Sequence, residues 1–194
     1  MLRWLFRPLV FYPLAIVVAA LVIFVGLKPQ SWPREPAPAA ARLVDNALIY
    51  EGEAFNAPSS SPEQTMTVVR DLFGRAQTLR IAQLPGQPPP TPAEQGVRVL
   101  MTAADAARLE GKAATVEVHY ETLAPNASRG LWVSLQGIGP SDWVYRDTPA
   151  EAELVSYELP PQIAVNAIGL RASHDDADEA FGVEITRIRV VPHP

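Results

Sequence analysis

The sequence predicts an all-β domain, an antiparallel β-sandwich, preceded by one transmembrane α-helix. Three observations favour this fold class. A run of twenty uncharged residues near the start is long enough to cross a bilayer as a helix. About nine later segments alternate apolar and polar residues, which is the pattern of half-buried strands. Residues that favour turns separate these segments at the spacing of an antiparallel sandwich or barrel.

The predicted membrane span is Pro8–Leu27, which lies between Arg7 and Lys28. A helix satisfies its own backbone hydrogen bonds, so such a segment can cross a hydrocarbon core of about 30 Å and contact lipid. A cleaved signal peptide is the alternative. Its apolar region is normally about 7–15 residues long, and the nearest Ala-x-Ala pattern here starts only at Ala37. We therefore favour a retained signal anchor.

The charges around the span predict its orientation. Arg3, Arg7 and the terminal amine precede it, so the positive-inside rule favours a cytoplasmic tail at residues 1–7 and an exported main domain. Arginine outnumbers lysine and alanine is abundant, which suggests a GC-rich bacterial genome. The sequence thus predicts a single-pass protein of the inner membrane whose main domain is periplasmic.

Composition divides the rest of the chain into a linker and one domain. Residues 28–42 are rich in proline and alanine, which predicts a semi-rigid linker. Residues 43–194 are enough for one compact β-sandwich domain. The net charge of −5 argues against nucleic acid as a partner, because nucleic-acid binding needs a basic surface. The absence of cysteine excludes disulfides, thiolate metal sites and cysteine nucleophiles.

The clearest alternation lies in the segments Thr115–Leu123 and Gly130–Ile138. A short helix is predicted at residues 102–110, with Thr102 as its cap, and a bulge is predicted near Thr186-Arg187. The other predicted strands are Ala47–Tyr50, Thr65–Leu72, Thr78–Gln83, Val97–Met101, Val155–Leu159, Ile168–Leu170 and Val183–Val190.

The order of these elements resembles the galactose-binding-like jelly roll found in many carbohydrate-binding modules. The resemblance covers roughly Leu43 to Pro192 and implies a sandwich of two antiparallel sheets; members of the family mostly bind sugars, and others bind different ligands or have structural roles. It is carried by the short helix, the turn Leu109-Glu110-Gly111-Lys112, the strands Thr115–Leu123 and Gly130–Ile138, then Trp143, the strand Leu154–Leu159 with the corner Leu159-Pro160-Pro161, and the closing strand Gly182–Val191.

A candidate ligand-binding face follows if the two clearest strands form a hairpin. Their polar positions then lie on one face, with Glu121 opposite Trp132. A tryptophan ring can stack on a sugar, while carboxylates and amides bind its hydroxyls. The alternative is that a loop covers Trp132, or that it faces the core. Trp143 and Tyr145 form either an aromatic shelf or part of the core. The candidate ligand-binding residues are Trp132, Glu121, His119, Gln136, Glu117 and Trp143.

A dense acidic segment at residues 174–179 offers weak candidate ligands for Ca²⁺, namely Asp175, Asp176 and Asp178. The segment lacks the glycine and the ligand spacing of known calcium loops, so a solvated surface loop is the alternative. The sequence predicts no other cofactor.

The leading functional prediction is a membrane-anchored, non-catalytic binding or scaffolding protein of the cell envelope, with a glycan as ligand. The alternative is an accessory subunit whose β-domain docks on a protein partner in the envelope. A remote alternative is a hydrolase or lyase acting on glycans, because carboxylates are plentiful but no catalytic motif places two of them together.

Overall fold

The structure is a computed structural model of the 194-residue chain. It describes residues 8–27, 37–59, 64–85, 87, 96–124, 126–138, 140–173 and 181–194. The chain divides into two compact units, Met1–Glu35 and Pro36–Pro194.

The first unit contains α1, a helix of 20 residues at Pro8–Leu27 with Pro13 inside it. Its side chains are described at Pro8 and at residues 11–23. In the part of the chain that the structure describes, no helix combines the length and the apolar character needed to cross a membrane. The transmembrane segment therefore stays a prediction.

The described residues of the second unit form twelve strands, one α-helix and a short 3-10 helix at Gly52–Asn56. The helix α2 is Ala103–Leu109, and the Thr102 hydroxyl accepts a hydrogen bond from the Asp105 N–H, as the predicted cap requires. The first six strands are β1 Arg42–Val44, β2 Ala47–Glu51, β3 Pro58–Ser59, β4 Thr65–Arg70, β5 Ala76–Gln83 and β6 Val97–Leu100. The last six are β7 Ala114–Thr122, β8 Gly130–Gln136, β9 Val144–Asp147, β10 Leu154–Leu159, β11 Ala167–Ser173 and β12 Phe181–Pro192.

The strands form two antiparallel sheets, as the predicted sandwich requires. The long strand β12 organises a seven-stranded sheet: β7 pairs along one side of it, and β5 and β2 share the other side. The strands β10, β4 and β1 extend this sheet outward. The second sheet has five strands in the order β3-β6-β11-β8-β9. The register of β12 against β7 shifts between Ile185 and Arg187, which confirms the predicted bulge.

The core lies between the sheets and consists of the apolar side chains that alternate along each strand and point inward. Val118 of β7 and Val133 of β8 are fully buried, and α2 adds Leu109. The predicted inward faces of β7 and β8 are therefore confirmed. The largest fully buried side chains are Tyr50, Tyr120, Tyr157, Phe55, Leu48, Leu79, Ile81, Leu109, Leu131, Leu135, Ile168 and Leu170.

Two expectations about the strands are wrong. The strand predicted at Thr65–Leu72 ends at Arg70, and Leu72 lies fully exposed in the turn that follows. The strands β7 and β8 do not form a hairpin, because β7 pairs with β10 and β12 whereas β8 pairs with β9 and β11. The connection between β7 and β8 crosses from one sheet to the other.

Candidate functional site

The six residues predicted to bind a ligand lie on opposite outer faces of the sandwich. Trp132 and Gln136 are on the outer face of the five-stranded sheet, and Trp143 comes just before β9 in that sheet. Glu117, His119 and Glu121 alternate with the buried residues of β7, so they lie on the outer face of the seven-stranded sheet.

An aromatic pair is the main feature of the five-stranded sheet's outer face. Trp132 of β8 is directly opposite Tyr145 of β9, and their ring centroids are 5.1 Å apart at an angle of 51°. Trp132 is 37% exposed. The tryptophan therefore faces outward on a sheet surface, as one of the sequence alternatives predicts.

A glycine determines where the tyrosine ring lies. A Cβ atom on Gly130 would be 2.3 Å from the ring and hydroxyl of Tyr145, so the ring packs directly over this glycine. The Tyr145 hydroxyl donates a hydrogen bond of 2.9 Å to the Asp147 carboxylate. Burial raises the pKa of this hydroxyl above its ordinary value, and the bond to Asp147 raises it further. Tyr145 is thus a neutral, oriented ring beside Trp132.

Buried polar groups lie beside the aromatic pair. Arg171 of β11 is opposite Trp132 in the register and is only 4% exposed. Its guanidinium carbon is 3.8 Å from the centroid of the Trp143 ring, which is a cation–π contact. A Cβ on Gly96 would be 2.9 Å from the same ring, so the backbone at this glycine also lies against Trp143.

Ser134 and Gln136 continue this polar group along β8, and both are buried. A Cβ on Gly169 would be 2.2 Å from the amide nitrogen of Gln136 and 2.6 Å from the Ser134 hydroxyl. Because glycine has no Cβ, both polar groups can occupy the space beside residue 169. The Ser134 hydroxyl oxygen has no hydrogen-bond partner among the residues that the structure describes. A buried hydroxyl without a partner costs stability.

On the seven-stranded sheet's outer face, the polar residues pair with each other. Glu117 accepts a hydrogen bond of 2.8 Å from Arg189. Glu184 accepts bonds of 2.6 and 3.1 Å from Arg80 and another from the Thr78 hydroxyl. Partial burial raises the pKa of Glu184, but these hydrogen bonds and the Arg80 charge outweigh burial, so the net pKa is below the ordinary value. This face therefore carries several surface ion pairs.

His119 and Glu121 belong to the same surface. His119 is opposite Arg187 of β12 and Leu154 of β10, and Glu121 is opposite Glu184 of β12. Stacked sheets are about 10 Å apart, with a packed core between them. None of the acidic or histidine candidates on β7 can therefore act together with Trp132 on one ligand.

The three predicted calcium ligands, Asp175, Asp176 and Asp178, lie outside the described residues. Among the residues that the structure does describe, no three histidine, aspartate or glutamate side chains group as a metal site would require.

Sequence reasoning named Trp132, Trp143, Tyr145 and Gln136 but missed Arg171. A signal for it was present, because Ile168, Leu170 and Ala172 alternate as the inward positions of β11. Arg171 has the opposite parity and so belongs on the face that carries Trp132.

No family model matches the chain, and no curated protein matches it. The chain is similar to solved structures of carbohydrate-binding modules. The CBM22-1 xylan-binding domain from Paenibacillus barcinonensis Xyn10C is 10% identical with a TM-score of 0.47, over 81% of this chain and 97% of that one. The apo BiXyn10A CBM1 is 13% identical with a TM-score of 0.46, over 79% of this chain and 100% of that one. CBM22-1-GH10 modules of a Clostridium thermocellum xylanase, complexed with xylohexaose, are 10% identical with a TM-score of 0.44, over 75% of this chain and 28% of that one. At this level, the similarity supports no conclusion about what the present chain binds.

Proposed function

We propose that this chain is a membrane-anchored, non-catalytic protein of the cell envelope that binds a glycan on the outer face of its five-stranded sheet. The observation that carries the proposal is the outward-facing pair of Trp132 and Tyr145. Large aromatic side chains are usually well buried, so a tryptophan that is 37% exposed and packed against an oriented tyrosine ring supports a ligand-binding role for this face.

The chemistry of the pair suits a sugar. The apolar C–H face of a pyranose ring can stack on an aromatic face, and the ring's hydroxyls need polar partners at its rim. Asp147 is exposed and already accepts a hydrogen bond from Tyr145, so its remaining carboxylate lone pairs can accept from sugar hydroxyls.

Binding is proposed rather than catalysis because of the carboxylates at this surface. In the described part of the chain, Asp147 is the one carboxylate that hydrogen-bonds to the aromatic pair. Glycoside hydrolysis generally requires two carboxyl groups on either side of the scissile bond.

The uncharged sequence and the exposed side chains of α1 support the anchor in this proposal, although the described part of the chain contains no helix long and apolar enough to cross a membrane. The helix has 20 residues, and its sequence contains no charged side chain. Nine of its described large apolar side chains are exposed, including Ile16 at 68% and Val22 at 65%. Exposed apolar side chains on all faces of a helix are favourable in lipid and costly in water.

The binding proposal is tested by titrating the full-length protein in detergent micelles with peptidoglycan fragments, β-glucans and xylo-oligosaccharides, using tryptophan fluorescence and calorimetry. We expect Trp132→Ala to weaken binding by about 2 kcal/mol, roughly thirty-fold in Kd, as loss of a central aromatic contact does. The matched control is Glu121→Gln, because this exposed residue lies on the other face of the sandwich; it should leave the Kd unchanged.

Three results would count against the binding proposal: no response to any glycan, equal weakening by both variants, or binding that survives Trp132→Ala.

The anchor is tested separately by extracting membranes that contain the protein with alkaline carbonate. A retained anchor keeps the protein in the membrane pellet, whereas release into the supernatant argues against it.

A further inference from the structure

The turn between β4 and β5 exposes two large apolar side chains at its tip. Leu72 is 101% exposed and Phe73 is 87% exposed, and they are adjacent in sequence. Single exposed apolar residues are common on protein surfaces, but two neighbouring ones with almost no contact to the rest of the fold are not explained by packing.

The turn is held rigidly by its own hydrogen bonds. The Asp71 carboxylate accepts from the backbone N–H groups of Phe73 at 2.8 Å and Arg75 at 2.9 Å. The backbone bonds Gly74 N–H to Asp71 C=O and Asp71 N–H to Arg75 C=O close the turn. Gly74 has a φ of +79°, which is the backbone conformation that glycine adopts most readily. The backbone that carries the two apolar side chains is therefore preorganised, which lowers the entropic cost of binding.

Positive charge borders this tip. Arg70 donates to the carbonyl oxygen of Gly74 at 3.0 Å and to the amide oxygen of Asn56 at 2.7 Å, both of which are neutral acceptors. Arg75 is exposed and forms no ion pair with any residue that the structure describes. Residues 70–75 contain two arginines and one aspartate, so the formal net charge of the turn is +1. The border of the apolar tip is thus complementary to an anionic surface.

We propose that this turn inserts Leu72 and Phe73 into the interfacial layer of a lipid bilayer that carries anionic headgroups, with Arg70 and Arg75 at the headgroup level. Two side chains offer much less area than the roughly 800 Å² that each partner contributes to a stable protein interface. They are sufficient for shallow insertion, where apolar burial and attraction of arginine to anionic lipid act together. This contact goes beyond the proposed glycan site and uses residues outside α1.

The chain has no cysteine, so one engineered thiol can be labelled selectively. The test uses full-length Leu72→Cys carrying an environment-sensitive fluorophore, in vesicles of phosphatidylcholine alone or mixed with phosphatidylglycerol. Some acyl chains are brominated to quench a fluorophore that enters the bilayer. The matched control is Ile163→Cys with the same label, because Ile163 is also 94% exposed but lies in the loop after β10.

We expect the label at position 72 to shift to the blue and to be quenched several-fold more in the anionic vesicles than the label at position 163. Adding Phe73→Asp to Leu72→Cys should remove most of that quenching, and the turn should persist because none of its hydrogen bonds uses the side chain of residue 72 or 73. A solvent-like label at position 72 would overturn the inference, as would quenching equal to the control or unaffected by Phe73→Asp. A blue shift without quenching by lipid would indicate a protein pocket instead and would also overturn it. Because the readout is local depth rather than vesicle attachment or sugar binding, its failure is distinguishable from failure of the proposed function.

Discussion

A buried tyrosine hydroxyl links the two sheets through the core, and its removal should have a measurable cost. Tyr157 of β10 is fully buried, and its hydroxyl donates a hydrogen bond of 2.9 Å to the carbonyl oxygen of Leu131 in β8. Burial raises the pKa of this hydroxyl well above the ordinary tyrosine value, so it remains a donor throughout the pH range of an unfolding experiment. Tyr157→Phe deletes the bond and preserves the ring.

The expected magnitude follows from the net value of a buried hydrogen bond. Tyr157→Phe should lower the free energy of unfolding by about 1 kcal/mol, with an upper value of about 2 kcal/mol because the Leu131 carbonyl is left less satisfied. For a domain of this size, about 1 kcal/mol corresponds to a fall in Tm of roughly 2–4 °C. Urea and thermal unfolding of the full-length protein in one fixed detergent would measure both quantities.

Tyr50 provides the matched control. It is also a fully buried core tyrosine of the seven-stranded sheet, but its hydroxyl has no hydrogen-bond partner among the residues that the structure describes. Removing an unsatisfied buried hydroxyl relieves its desolvation cost, so Tyr50→Phe should be neutral or stabilising by up to about 1 kcal/mol. Equal destabilisation by Tyr50→Phe and Tyr157→Phe would refute the claim that the hydrogen bond of Tyr157 stabilises the fold and the unpartnered hydroxyl of Tyr50 does not.

Two further predictions concern the two outer faces. The pKa of Glu184 is below the ordinary value of 4.5, so its pairing with Arg80 stabilises the fold above that pH and is lost as the pH falls through the lowered pKa. Glu184→Gln should therefore flatten the acid limb of a stability–pH profile from urea unfolding, and an unchanged limb would contradict the pairing. Gly130→Ala should displace the Tyr145 ring, because the new methyl group would overlap it. Glycan affinity should then fall several-fold through the loss of the partner of Trp132, and unaltered affinity would show that the tyrosine's position is unimportant.

The sequence alone predicted the local features of the fold. Residues Val116–Tyr120 and Leu131–Leu135 alternate with the period of two that a pleated strand imposes, so their buried and exposed positions could be read directly. The short helix capped by Thr102 and the bulge before Arg187 were also recognisable, because capping and parity shifts depend on neighbours in sequence. The outward direction of Trp132 agrees with the same alternation, but the sequence left open that a loop covers this residue or that it faces the core.

Only the tertiary structure decided which strands are neighbours, and this decided the composition of the candidate site. The connection between β7 and β8 has no local signal that distinguishes a hairpin from a crossing between sheets. Its path depends on distant contacts, such as the Ser128 N–H to the Gly182 carbonyl and the Arg129 N–H to the Ser173 carbonyl. Because of that crossing, Glu121 lies across the core from Trp132, whereas Tyr145 and Arg171 lie beside it. Parity is a property of consecutive residues, but strand partnership is set by burial and hydrogen bonding between distant segments.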